Sequence, residues 1–182
     1  MNRVLVAIAL CVCPTLALAQ HDPTAKAAEK RAAMQKLAPL LGEWAGSGWI
    51  EFVPGKREAF SSREIVEPRL GGMVVTIEGI HTEQGAAKGE AVHHAFGTFT
   101  PTDAADAYAF RTTLASGRTA DVVAKFEDGR LKWSPPGPPN RQMRYVIEIE
   151  GDTWHEIGEM AGADGAWRQF FEMTLKRTKP TP

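Results

Sequence analysis

The sequence predicts an all-β fold: an antiparallel up-and-down β-barrel of about ten strands, preceded by a short N-terminal helix. Apolar and polar residues alternate in short segments along most of the chain, which is the period of a half-buried strand. Glycine-containing turns separate these segments, and the connections are too short to hold crossover helices. Neighbouring strands must therefore run antiparallel, and a series of this length favours closure into a barrel.

The N-terminal residues are typical of a secretory signal peptide. Arg3 supplies the positive charge, residues 4–12 form an apolar core, and Ala17-Leu18-Ala19 is a small-x-small cleavage site. The apolar run is too short to span a bilayer, so we expect no membrane anchor. The sequence thus predicts a periplasmic or secreted protein after cleavage near Ala19.

Composition excludes several classes of function. Both cysteines, Cys11 and Cys13, lie in the segment expected to be removed, so the mature chain would have no disulfide and no thiolate chemistry. Lys and Arg number 21 against 22 Asp and Glu, and they are scattered along the chain. This pattern lacks the basic patch of a nucleic-acid-binding protein, so we expect no nucleic-acid partner.

Three regions follow in order: a signal peptide at residues 1–19, a helical leader at 20–41 and the barrel at 42–178. Asp22 is a suitable N-cap before Pro23 at the first helical position. The Ala-rich stretch 24–36 continues the helix, Pro39 should break or kink it, and Gly42 should end it. We interpret the leader as a segment that packs against one end of the barrel.

The strands are predicted from the change to a period of two residues. They span residues 42–53, 57–67, 73–81, 90–100, 107–114, 119–127, 131–134, 141–150, 153–160 and 167–176. Residues 135–140, Pro-Pro-Gly-Pro-Pro-Asn, have no backbone donor at four positions and cannot join a strand ladder. This segment is either a stiff loop at the barrel rim or a lid over the mouth.

The first strand contains the residues to which we assign a structural role. Trp44 should plug the barrel end beside the helix, and Gly42 and Gly46 should leave space for its indole ring. Glycines in this strand would also let a strongly bent backbone cross the barrel closely.

Local motifs for catalysis or metal binding are missing. The histidines His93 and His94 are adjacent, so only one of them can face the lumen. No spacing in the sequence predicts a metal site. Nor does the chain hold a serine elbow or a phosphate-binding glycine loop. The sequence therefore leaves enzymatic activity uncertain and favours a binding protein.

Aromatic and polar residues on the strands are the candidates for ligand binding. On the last strand, alternation predicts that Trp167, Gln169 and Phe171 face inward. On the ninth strand, either Trp154 and Glu156 face inward or His155 does. On the second strand Arg63 and Glu64 could both be lumenal. Charged residues in a lumen would have to be paired or bind a ligand. The full set of candidates is Arg63, His93, Arg111, Tyr145, Trp154, His155, Glu156, Trp167, Gln169 and Phe171.

These residues leave two hypotheses open. The first is a barrel that binds a small, partly apolar molecule, because inward apolar residues with an isolated polar group are typical of such pockets. The second is a hydrolase or isomerase with His155, Glu156 or Arg111 in the lumen. A histidine within hydrogen-bond reach of a carboxylate at the cavity floor would favour the enzyme. Oligomeric state is not predicted.

Both ends of the chain resemble a known group of barrels. Residues 37–48, Leu-Ala-Pro-Leu-Leu-Gly-Glu-Trp-Ala-Gly-Ser-Gly, resemble the opening of nitrobindin-like and other lipocalin-like proteins. Residues 153–159 and 167–175 are similar to the closing strands of a bacterial family of secreted domains of unknown function. The resemblance implies a calycin barrel with an internal cavity.

The resemblance also raises haem as a cofactor, since nitrobindins bind it through a histidine on the last strand. This chain has Phe170 and Phe171 at about that place, and only His155, on the neighbouring strand, is a substitute. We therefore expect no cofactor and regard haem as doubtful.

Overall fold

The computed structural model describes residues 23–84, 91–139 and 141–179. An α-helix, α1 (Pro23–Met34), runs into a 3-10 helix (Gln35–Leu40). Ten strands follow: β1 (Gly42–Val53), β2 (Lys56–Arg69), β3 (Val74–Glu83), β4 (Ala91–Pro101), β5 (Ala107–Leu114), β6 (Thr119–Glu127), β7 (Arg130–Trp133), β8 (Gln142–Glu150), β9 (Thr153–Ala161) and β10 (Trp167–Lys179).

The strands close into one barrel. Each strand pairs antiparallel with its neighbours in the sequence, and β1 pairs with β10 to complete the ring. The predicted fold class is therefore confirmed. Several turns need a left-handed backbone, and glycine occupies them, as at Gly55 (φ +80°) and Gly117 (φ +82°).

The two helices close one end of the barrel. Met34, Leu37 and Leu40 are buried there, and the Tyr108 hydroxyl donates to the Ala33 carbonyl at 3.1 Å. Pro39 lies inside the 3-10 helix instead of ending the helical segment. The proposed N-cap, Asp22, lies outside the described residues. Within the described part of the chain, no helix is long and apolar enough to cross a membrane.

Trp44 lies at this closed end and is fully buried. Its indole Nε1–H donates to the Leu40 carbonyl at 2.8 Å. The ring meets Trp154 edge-on with 5.5 Å between centroids, and the Arg177 guanidinium stacks on it at 3.9 Å. A Cβ on Gly46 would overlap the Thr174 carbonyl of β10, so glycine lets these two strands approach closely.

The opposite end of the barrel is open. Four connections among the described residues surround it: β1–β2, β5–β6, β7–β8 and β9–β10. The proline-rich β7–β8 connection therefore lies at the open mouth, and residues 134–139 form no strand or helix.

Candidate functional site in the barrel lumen

Register decides which side chains enter the lumen. On β2, Phe60, Ser62, Glu64 and Val66 are buried, and the residues between them face outward. On β9, Trp154 and Glu156 are buried and face inward. His155 therefore faces outward, because neighbouring side chains on a strand point to opposite sides.

A β-bulge reverses the alternation on β10. Phe171 pairs with Gly158 and faces inward, but Gln169 pairs with Glu159 on the outer face. The extra residue between them is Phe170. Because one inserted residue moves every residue beyond it to the other face, the prediction that Trp167 and Gln169 face inward is wrong. Trp167 instead stacks with Arg144 outside the barrel, 4.1 Å from the guanidinium to the ring centre.

Three further candidates also lie outside the lumen. Arg63 is exposed and pairs with Glu43 at 2.8 Å. Arg111 is exposed and makes two hydrogen bonds to Asp121, at 2.7 and 2.8 Å. His155 Nε2 lies 3.0 Å from the Glu172 carboxylate. The lumenal placement considered for these three residues is corrected, because each alternates with buried neighbours and has an outer-face partner.

Five of the candidates do meet in the lumen or at its mouth: His93, Tyr145, Trp154, Glu156 and Phe171. On β2 the sequence left both Arg63 and Glu64 as possible lumenal residues, and only Arg63 entered the candidate set; His81 was not selected. The apolar residues Phe60 and Val66 share the parity of Glu64, and this is the signal that would have decided between the two.

Two acidic side chains are buried in the barrel. Glu64 is 4% exposed and Glu156 is 7% exposed. Ser62 Oγ donates to Glu64 at 3.2 Å, and Trp154 Nε1 donates to Glu156 at 3.2 Å. Gly79 leaves room for the first carboxyl group, since a Cβ there would lie 2.6 Å from a Glu64 oxygen.

Burial disfavours the ionised form of both carboxyl groups. It raises the pKa of Glu64 to about 8, although the Ser62 hydroxyl opposes the shift. Burial, followed by the charge of Glu64, raises the pKa of Glu156 to about 8. At neutral pH both carboxyl groups are therefore mostly protonated, and each has an O–H to donate.

Two histidines lie where the lumen opens. Burial lowers the pKa of His81 to about 4. His93 is exposed at the mouth, and desolvation, followed by His81 and Arg118, lowers its pKa to about 4. Both rings are thus neutral near pH 7, and their centroids lie 5.0 Å apart. His94 points to the outer face, where its Nε2 lies 2.7 Å from Glu78.

A pocket of about 520 Å³ opens above these histidines. Its apolar lining includes Ile50, Phe52, Phe60 and Val92, and Glu58 and Glu83 stand at its rim. A second depression, of about 590 Å³, is an open groove on the outer face around the Arg111–Asp121 pair. We assign the candidate site to the pocket above the histidines. In the outer groove, Arg111 and Asp121 already pair with each other.

Several inward-facing side chains of the barrel are only partly buried. Ile77, Thr112, Trp133 and Tyr145 face inward by register yet are only half-buried, so their accessible surface belongs to the lumen and its mouth. Tyr145 packs between Trp133, at 5.3 Å, and Phe171, at 5.8 Å. Its hydroxyl has no hydrogen-bonding partner among the described residues, and neither does Oε1 of Glu156.

No metal centre is formed by the described residues, among which no three His, Asp or Glu side chains converge as ligands. Haem ligation by a histidine of the last strand does not fit this lumen. β10 carries Phe171 at the inward position, where its ring stacks with Phe60 at 5.7 Å. The substitute, His155, lies on the outer surface.

Comparisons with known proteins define the class of fold. No protein-family model and no curated protein sequence matches the chain. Among solved structures, Rv2717c from M. tuberculosis has a TM-score of 0.62 at 18% identity, covering 80% of this chain and 97% of its own. The S-type phycobiliprotein lyase CPES from Guillardia theta has a TM-score of 0.58 at 8% identity, covering 84% and 98%. Identities this low show the fold alone, and both structures share the closed antiparallel barrel described above.

Proposed function

We propose that this protein binds a small, partly apolar molecule in its lumen, with entry at the open mouth. The observation that supports this most is the pair of enclosed polar groups without protein partners, the Tyr145 hydroxyl and Oε1 of Glu156. Buried polar atoms in native proteins nearly always have a hydrogen-bonding partner. A bound molecule would supply that partner.

The chemistry of the lumen defines the class of ligand. Its walls are aromatic, with Phe60, Trp133, Tyr145 and Phe171 around the space. Its deep polar groups, Glu64 and Glu156, are neutral near pH 7. Desolvating a charged ligand here would be unfavourable. The preferred ligand is therefore uncharged in its deep part, with a flat or apolar body and one or two hydrogen-bond acceptors.

The fold neighbours support a ligand-holding barrel without identifying the ligand. One of them is a phycobiliprotein lyase by its title, but its activity is not transferred to this chain. We also propose that the chain is secreted or periplasmic, on the strength of residues 1–19. The resemblance to nitrobindin-like proteins has no sequence match behind it, and we propose a lumen that works without haem. Haem titration should then produce no Soret shift.

Native mass spectrometry of the purified protein tests the binding function. We expect a fraction of the protein to carry an extra mass that organic extraction releases. Tyr145→Phe and Glu156→Gln should reduce that fraction, because the first removes the hydroxyl and the second replaces the carboxyl O–H by an amide, each without changing the shape of the lumen. Glu148→Gln, on the exposed outer face of β8, is the matched control and should retain it. A bare protein mass under gentle conditions, together with no binding of any compound from an apolar ligand panel, would contradict the proposal.

A further inference from the structure

We propose that the mouth pocket transfers protons to and from a carbon acid, such as a C–H next to a carbonyl group. In this reaction His93 accepts the proton from carbon, and His81, backed by Glu64, donates one to the oxygen. The inference rests on the proposed function only in requiring that small molecules enter the pocket.

The first half of the site is the His81–Glu64 pair. His81 Nε2 lies 3.4 Å from Glu64 Oε1, and the side chains are only 11% and 5% exposed. This is long for a hydrogen bond, but such contacts at catalytic groups are often long before a substrate binds. The Phe60 ring stacks on the imidazole at 4.4 Å and holds its plane. Since Nε2 faces the carboxyl group, Nδ1 is the ring nitrogen left for the pocket.

The protonation states of Glu64 and His81 make the His81 ring a hydrogen-bond donor toward the pocket. A protonated Glu64 donates to Nε2, which fixes His81 as the tautomer with its hydrogen on Nδ1. A neutral imidazole of this kind can hydrogen-bond a carbonyl oxygen and pass a proton through its ring. Ser62 keeps the Glu64 carboxyl group oriented, as its hydroxyl donates to the same oxygen.

The second half of the site is His93. Its ring is 5.0 Å from that of His81, on the neighbouring strand, and is tilted from it by 35°. It has no hydrogen bond to any described residue. A neutral imidazole with a free nitrogen lone pair is a base. Because the two histidines have different hydrogen-bonding environments, His93 can accept a proton while His81 donates one.

The proposed step balances as follows. His93 takes the proton from carbon, and the C–H electrons form a C=C bond. The π electrons of the C=O bond move to the oxygen, which takes the Nδ1 proton of His81. The Nε2 of His81 receives the Glu64 proton at the same time. The products are an enol, an imidazolium at His93 and a carboxylate at Glu64. In the return step His93 gives its proton to the α-carbon, the enol oxygen gives its proton back to His81 Nδ1, and Nε2 gives its proton back to Glu64. The carbonyl group re-forms, the site is restored, and the hydrogen on the α-carbon has been exchanged.

Hydrolysis by a covalent mechanism is not supported here. No cysteine or threonine is among the pocket-lining residues, and the nearby Ser62 is 5% exposed with its hydroxyl committed to Glu64. Proton transfer is the chemistry for which the pocket carries groups.

The test uses 5-nitrobenzisoxazole, a flat, uncharged carbon acid. Loss of its C3 proton to a base breaks the N–O bond and gives 2-cyano-4-nitrophenolate, whose oxygen a donor stabilises. A positioned acid or base contributes typically about 10²- to 10⁴-fold, so His93→Ala should lower kcat/KM by about 100-fold. The outer-face pair His94–Glu78 provides matched controls. His94→Ala and Glu78→Gln should leave the rate within about twofold of wild type, because neither residue lines the pocket.

The pH profile distinguishes a Glu64 that transfers a proton through His81 from a Glu64 that only holds His81 in place. The groups facing the two histidines are Glu64, Glu156, Tyr145, Arg118, Glu58 and Glu83. The rate should fall in acid as His93 is protonated, and again above about pH 8 as Glu64 loses its proton. In Glu64→Gln the amide still donates to Nε2 but neither titrates nor gives up a proton, so the rate at neutral pH should drop and the alkaline fall should disappear. A Glu64 that only positions His81 would be replaced by Gln without loss of rate at neutral pH.

Binding of 5-nitroindazole, a flat analogue without the N–O bond, separates the two proposals. Quenching of tryptophan fluorescence by the analogue, with no turnover of 5-nitrobenzisoxazole above the His93→Ala background, would overturn proton transfer and leave the binding function intact. Failure of both compounds to bind would overturn the proton-transfer site and contradict an accessible lumen as well.

Discussion

Replacement of Trp44 by alanine should strongly destabilise the barrel. The side chain is fully buried, contacts Trp154 and Arg177, and donates to the Leu40 carbonyl. Truncating a buried tryptophan costs about 3–5 kcal/mol, which is a large part of the roughly 5–15 kcal/mol that stabilises a typical domain. For a chain of this size each kcal/mol lowers Tm by about 2–4 °C. We therefore expect Tm to fall by about 6–20 °C.

Urea unfolding followed by circular dichroism measures this loss as a lower midpoint at an unchanged slope. Trp44→Phe is the graded control. It keeps an aromatic ring but removes the hydrogen bond to Leu40, and an unsatisfied buried carbonyl costs about 1–3 kcal/mol. An alanine variant that melts within a degree or two of wild type would refute the placement of the indole at the closed end.

Three further outcomes are expected. The free energy of unfolding should fall as pH rises from 6.5 to about 8, because the folded state keeps protons on Glu64 and Glu156 (pKa about 8) that the unfolded chain releases near 4.5. This stabilisation is complete below pH 4.5 and lost above pH 8. The free energy of unfolding changes by at most roughly 1.4 kcal/mol per pH unit for each carboxyl group. Below pH 6.5 the lowered pKa values of His81 and His93 oppose this gain, because the unfolded chain binds protons at these histidines that the folded state does not. Urea unfolding midpoints should fall as the pH of the measurement rises. In the double variant Glu64→Gln/Glu156→Gln this fall should be smaller. Gly79→Ala should weaken ligand binding and lower Tm, since its Cβ would press on the Glu64 carboxyl group; wild-type titration and melting curves would contradict this. His155→Ala should leave ligand affinity unchanged, which a binding isotherm would check.

The fold was predictable because its signals are local. Alternation and glycine turns placed the strands within a few residues of their observed bounds, and Asp128-Gly129 and Gly151-Asp152 mark tight turns in both the sequence and the structure. Closure also follows locally, because short connections leave each strand only its neighbours, and the free edges of the first and last strands must pair.

Only half of the candidate site residues were placed correctly from the sequence. Whether a strand residue faces the lumen depends on the alternation along its strand, which a bulge reverses. A single inserted residue, Phe170, moved Trp167 and Gln169 to the outer face, and sequence alone does not mark that bulge. On β2, both Arg63 and Glu64 were possible lumenal residues, and the shared parity of Glu64 with Phe60 favours Glu64. The space that Gly79 on β3 leaves for the carboxyl group is a contact between strands, which alternation along one strand does not show.

A crystal structure of the protein, purified without extraction or detergent, tests the central claim most directly. The proposed function requires density for a bound molecule in the lumen, with a polar atom about 2.7–3.2 Å from the Tyr145 hydroxyl or Glu156 Oε1. Soaking in a panel ligand should restore such density if purification has removed it. A lumen packed solid with side chains, with both polar groups bonded to protein atoms, would contradict the proposed function.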